Sequence, residues 1–218
     1  MKNLLIISLI SLTLLTSCND NDCVIGSGTL NDYPLTVNSF DKVSLAGSMD
    51  LFITQGSEQT LLIQAEPEIF GIMETKVKNN ELIIDFENHS CINSMVGVKV
   101  YITVPDIEQI SIAGTSNITS DGDLDLDQLT FDVAGSAHVG ITGSANTQSF
   151  NVSGEVIVRN LAFQTKNTFI NISGSGDLEI DCTDMMDINL SGAATIKYTG
   201  QPTIKQKVSG SLDLVDVN

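Results

Sequence analysis

The chain has 218 residues, with 27 acidic against 10 basic side chains, a net charge of −17, no tryptophan and two histidines. So strong a negative field excludes nucleic acid and anionic membrane surfaces as partners. A hydrophobic fraction of 42% excludes a disordered chain, and its wealth of Ile, Val and Leu suits strands better than helices.

The first element is not part of the fold. Residues 1–17 carry one early Lys2, an apolar run from Leu4 to Leu15 and a small-residue site before Cys18. The run is too short to span a bilayer comfortably, so it reads as a signal peptide. Leu14 to Cys18, "LLTSC", resembles the bacterial lipobox, in which the cysteine takes a lipid and becomes the mature N-terminus. Cys18 is therefore the expected lipidation site and the expected link to a membrane. Residues 18–35 open with "NDNDCVIGSG" and read as an acidic tether. Cys23, Cys91 and Cys182 remain. An oxidising envelope permits one disulfide among three, and the sequence does not choose the pair.

From residue 36 to 218 one domain is expected. Its first part is irregular: strand-like "YPLTVNSFDKVSLAGSMDLFITQG" and "NNELIIDFEN", with Gly56 and Lys78 to Asn80 as turn signals, and "AEPEIFGIMETKV" with room for one helical turn. A repeated phrase then takes over. It centres on Gly47, Gly114, Gly135, Gly154, Gly174, Gly192 and Gly210, and from Gly114 onward recurs every 18 to 21 residues. Positions four before, two before and four after each glycine are apolar in all copies except at Gln206. Polar residues lie between them, so the period is two and one face is buried. Ala or Ser precedes every one of these glycines, which suits a sharp bend where chains stack closely.

A unit this short cannot bury its own apolar face, so neighbours must stack on it. The expected fold class is all-β, a parallel β-helix or β-solenoid with 18–21-residue coils, six of them spanning roughly 30 Å at the spacing of paired strands. An antiparallel sandwich is the alternative. In-register stacking would set Asn151, Asn171 and Asn189 above one another as an amide ladder.

"FDKVSLAGSMDLFITQG" (Phe40 to Gly56), "VKVYITVPDIEQISIAGTSNI" (Val98 to Ile118) and the recurring "SGSGDL" phrases resemble the bacterial head GIN domain family, described as "putative auto-transporter adhesins" and often lipoproteins. The resemblance covers about residues 36–218. It implies a right-handed β-solenoid and an adhesive surface role, and it carries no catalytic residues. It is less regular at Glu155, and after Gly210 the coil runs out into "SLDLVDVN".

Two groups of residues are candidate sites. "DGDLDLD" (Asp121 to Asp127) has the carboxylates a calcium ion favours. It lacks the glycine and glutamate of an EF-hand loop, however, and alternates with Leu124 and Leu126 as an outward strand face does. Three residues after successive glycines lie Asp50, Asn117, His138, Asp177 and Asp213, with Ile157 and Thr195 between. In a solenoid this column forms a polar strip able to face a glycan or a protein. His138 has no partner histidine nearby in sequence, and neither a metal site nor a cofactor is expected. Enzymatic cleavage of acidic polysaccharide, known on parallel β-helices, fits poorly with Arg159 as the only arginine and with no carboxylate pair in a distinctive context.

The expectation is a lipid-anchored protein of the bacterial envelope. It would sit at the outer membrane with its surface or periplasmic face left open, and bind a surface glycan or protein without catalysis. A periplasmic structural lipoprotein is the alternative.

Overall fold

The computed structural model describes residues 23–87 and 91–218, so the lipobox and Cys18 lie outside the described residues. The fold is all-β, with mixed parallel and antiparallel pairing and one helical turn. The elements in chain order are β1 (Val24–Ile25), β2 (Asn31–Leu35), β3 (Lys42–Gln55), β4 (Thr60–Ala65), α1 (Pro67–Phe70), β5 (Met73–Lys78) and β6 (Glu81–Phe86). Then come β7 (Ile92–Asn93), β8 (Val98–Val104), β9 (Gln109–Val152), β10 (Glu155–Thr199) and β11 (Thr203–Asp216).

The repeat sets the pairing. β3 pairs in parallel with the start of β9, Gly47 beside Gly114. β9 pairs in parallel with β10, Asn151 beside Asn171, and β10 with β11, Gly192 beside Gly210. A Cβ built on Gly114, Gly135, Gly154, Gly174, Gly192 or Gly210 would lie 1.9–2.1 Å from the carbonyl oxygen of the preceding glycine of the series. Each of these glycines has a positive φ, from +142° to +156°. Both the backbone angle and the close approach therefore demand glycine. Gly114 and Gly135 belong to the same strand element, as do Gly174 and Gly192. Each long strand thus bends and meets its own earlier residues, and the glycines form one column of contacts between successive rungs.

Inward residues fill the space behind the bends. Of the apolar positions expected from the alignment on glycine, those from Val43 to Ile196 are at most 4% exposed. Phe131 and Phe150, a rung apart, stack with ring centroids 5.1 Å apart, the offset arrangement that aromatic pairs favour. Only on the last rung does burial fail. Val208 is 40% exposed, while Leu190 beside it in register is 2% exposed.

At the opposite end the pairing becomes antiparallel, a departure from the wholly parallel stack expected for residues 36–218. β6 and β8 lie parallel against the two halves of β3. β5 then pairs antiparallel with β6, β4 with β8 and β2 with β4. The cause is local. Asn79 and Asn80 both hold positive φ, 53° and 62°, and such a two-residue turn closes a hairpin between β5 and β6. Pro67 opens the helical turn α1, where its fixed φ and missing N–H cost nothing.

Part of the segment expected as a tether is paired, β1 in a separate two-stranded sheet and β2 in the large one. β1 pairs in parallel with β7, β2 is paired to β4, and Cys23 is disulfide-bonded to Cys91. Among the described residues Cys182 is the free cysteine, and it is buried. The cue to this pairing is the long-range docking of Val24 and Ile25, which no local pattern in a Gly- and Asp-rich stretch announces.

Candidate functional site

In-register stacking converts each repeat position into a column that runs along the stack, so a site here is a column of like residues rather than a cluster. Three residues before the glycines the column reads Ser44, Ser111, Asp132, Asn151, Asn171 and Asn189, then Lys207. β3, β9, β10 and β11 supply its members in turn. The residues just before the glycines, Ala113, Ala134, Ser153, Ser173 and Ser191, are small. Between the tall column and the small one lies a trough of about 550 Å³ lined by both. Six rungs spaced by ~4.8 Å give it a length of about 24 Å.

The wall of the trough is a chain of hydrogen bonds. Asn171 Nδ2 donates to Asn151 Oδ1 at 3.0 Å, and Asn151 Nδ2 donates to Asp132 Oδ1 at 2.8 Å. Gln109 Nε2 donates to the other Asp132 oxygen at 2.6 Å. Of the amide ladder expected for Asn151, Asn171 and Asn189, the step between Asn151 and Asn171 is present and reaches back to Asp132, while Asn189 stands in the column without a side-chain bond to Asn171. Each asparagine spends one N–H on the ladder and keeps a second, and its carbonyl retains acceptor capacity. The wall is pre-oriented by its own bonds, so ordering it on binding costs little.

At the antiparallel end a second hollow of about 610 Å³, lined by Ala46, Gly47, Asp85, Phe86, Ile92 and Ser94 among others, shares Ala113 with the first. Next to it, Glu66 is fully buried and its carboxylate accepts hydrogen bonds from the Gly28 N–H at 2.6 Å and from the Ser94 hydroxyl. The Ser94 bond, with further bonds from the Gly28 and Met95 N–H groups, holds the Glu66 pKa below the ordinary value against the opposing effect of burial. Glu66 thus clips the disulfide-bonded arm to the 92–97 segment. This is a structural role that no local sequence pattern announces.

The strip expected three residues after the glycines lies along the stack on the other side of the bends. Its members are set in register, with Ile157 beside His138 and Thr195 beside Asp213. Two of its carboxylates are engaged within the protein. Asp50 Oδ1 accepts from Asn117 Nδ2 at 2.6 Å, and Asp177 is paired with Arg159 at 2.7 Å. Asn117, His138 and Asp213 are exposed. No hollow is lined by this strip among the pockets described.

In "DGDLDLD" Leu124 and Leu126 point inward at 1% and 5% exposure and the aspartates outward, as the alternation predicts. Asp127 accepts from Asn146 Nδ2 at 2.7 Å, and Asn146 in turn accepts from Lys166 Nζ at 2.7 Å. Among the described residues no group of three or more His, Cys, Asp or Glu is placed to hold a metal, and no helix is long and apolar enough to cross a membrane.

The trough was legible in part. Small residues before each glycine and amides three before were both visible as columns. What the sequence could not show is that the bend makes this side the concave one.

The fold is shared with solved structures of low sequence identity. A "putative adhesin" from Bacteroides fragilis superposes with a TM-score of 0.70 at 21% identity, over 88% of this chain and 97% of that one. A "putative adhesin" from Parabacteroides distasonis gives 0.63 at 15%, over 89% and 100%. A "putative lipid binding protein" from the same organism gives 0.50 at 17%, over 90% and 100%. No curated protein sequence matches the chain. The family model described as "Putative auto-transporter adhesin, head GIN domain" matches residues 39–202, and the chain belongs to that family.

Proposed function

We propose that this is a lipid-anchored protein of the bacterial envelope whose rungs wind as one right-handed parallel β-helix, and that it binds an extended polar ligand without catalysis. The ligand is a neutral surface glycan or the outer face of a protein, lying along the trough. The observation that carries this is the pre-bonded ladder Gln109–Asp132–Asn151–Asn171 beside a continuous row of small residues. Equivalent donors and acceptors recurring every ~4.8 Å suit a polymer that offers the same groups repeatedly. The net charge of −17 favours a neutral polymer over a polyanion. The lipid on Cys18 would tether the module to the membrane, and the family's adhesin description supports an envelope location.

Binding of residues 23–218 to an array of neutral glycans tests the site. The expected result is binding that weakens ~10-fold or more in Asn151→Ala/Asn171→Ala, because a buried or bound polar partner is left unpaired. Binding untouched by that variant and lost instead in His138→Ala/Asp177→Ala would move the site to the other strip, and binding to no glycan would overturn the glycan reading. Protease treatment of intact cells, with a folded cleavable tag at the C-terminus and a periplasmic control, tests the location. Cleavage of the tag supports the surface; its survival while the outer membrane is intact supports a periplasmic structural lipoprotein.

A further inference from the structure

The two ends of the stack are treated differently. The first end is closed by β2 and β5, edge strands of five and six residues. One carries Pro34 and the other is lined by Glu74, Lys76 and Lys78, the usual devices against edge-to-edge pairing. The last end is β11, a 14-residue strand paired with β10 along its whole length on one side. It has no strand on its other side among the described residues.

We infer that β11 is a self-association edge, and that two copies of this chain join tail to tail about a two-fold axis through Gly210. The residue pattern around Gly210 is symmetric. Positions two and four on either side face inward in the equivalent rungs, and positions one and three face outward. An antiparallel pairing centred on Gly210 therefore sets inward beside inward and outward beside outward. It places Val208, 40% exposed, against Leu212 of the second copy, and Lys207 against Asp213 of the second copy. Ser209 meets Ser211. The last rung contains Lys205, Lys207, Asp213 and Asp216 and so is electrically neutral, in a chain whose net charge is −17. Neutrality at this rung removes the local repulsion that would oppose the contact. Head-to-tail stacking is blocked by the antiparallel cap at the other end, so the assembly closes at two copies.

Sedimentation velocity of residues 23–218, which carry every described strand, tests this over a wide concentration range at ~0.15 M salt. A monomer–dimer equilibrium with no larger species is expected. Lys207→Asp should raise the dissociation constant at least ~10-fold, since symmetry makes each substitution count twice. Lys207→Asp/Asp213→Lys should restore it, and Val208→Lys should abolish the dimer. The substituted side chains are exposed, and an unchanged unfolding midpoint for each monomer confirms folding. A monomer at every concentration, an assembly growing past two, or a dimer that ignores the charge swap overturns the inference.

Discussion

Replacing Gly174 by alanine isolates the interaction on which the stack depends. The new Cβ would lie 2.0 Å from the Gly154 carbonyl oxygen, in a rung whose φ is +152°. Two costs add. A non-glycine residue in this backbone region costs about 1–3 kcal/mol. The second cost is steric: the oxygen is backbone and cannot rotate away, so the rungs must part. The Ser175 N–H to Gly154 O bond of 2.9 Å and a neighbour are then weakened, for about 1 kcal/mol each. The sum is roughly 3–5 kcal/mol, or about 6–20 °C in Tm for a domain of this size. Two other glycines separate the contributions. Gly122 has φ +89° with nothing within 4 Å of an added Cβ, and Gly140 has neither a positive φ nor a neighbour. Gly122→Ala should therefore cost only the strain, about 1–2 kcal/mol, and Gly140→Ala less than about 0.5 kcal/mol. Urea unfolding followed by far-UV circular dichroism ranks the three. If Gly174→Ala unfolds with Gly122→Ala, rung contact contributes nothing and the glycine column is only a matter of backbone angle.

Three further outcomes follow from the geometry. Cys23 and Cys91 close a loop of 68 residues in sequence separation, so Cys91→Ser should lower stability by up to about 4 kcal/mol, read as the urea midpoint with and without reductant. Because the Glu66 pKa is lowered in the folded state, its contribution is full above the unfolded value, close to 4.5, and is lost as pH falls through the folded one. Unfolding midpoints measured between neutral pH and acid should thus drop less steeply in Glu66→Gln, and equal slopes would refute the clip. Arg159 bridges Asp177 at 2.7 Å and approaches Glu179 at 3.9 Å, but its side chain is 44% exposed. Arg159→Ala should therefore cost no more than about 1 kcal/mol, with thermal unfolding as the check.

The interior was readable because it obeys a single rule. Once the chain is aligned on Gly47 and its successors, the apolar columns from Val43 to Ile196 and the bend are all local in sequence, and the ladder of Asn151 and Asn171 follows from register alone. What failed to show depends on residues that meet across long loops. The pairing of β1 with β7, the choice of Cys91 over Cys182 for Cys23, and the burial of Glu66 against Gly28 join segments 38 to 68 residues apart. No periodicity links them. The antiparallel cap was half visible, since Lys78 to Asn80 marks a turn but does not say which strand returns beside which. The strip with Asp50 and Asp177 was legible as a column, yet these two carboxylates proved to be held by Asn117 and Arg159, and only coordinates show that.

The same rule explains how far function can be read from relatives. In each rung of 18 to 21 residues the glycine and three inward positions are constrained by contact with the rung before. The outward positions touch their neighbours in the column and otherwise only solvent. A stack built this way keeps its shape while most of its surface changes, and a TM-score of 0.70 at 21% identity is what such a division of labour produces. The outward columns, which carry the proposed site, are therefore the part least transferable between members. Lys207 in this chain illustrates the point, standing in register beside Asn189, so the column of hydroxyls, one carboxylate and amides ends as a cation on the last rung. The trough wall carries one carboxylate, Asp132, held by Gln109 and Asn151, and the column ends in a positive charge at Lys207. On the proposed reading, a directional ligand that ends in a negative group would bind the monomer with that group at the β11 end. Lys207→Gln, which also removes a contact of the inferred dimer, should abolish that preference in the monomer, read as equal affinity for the ligand and its reversed analogue, while leaving the fold and the amide ladder intact.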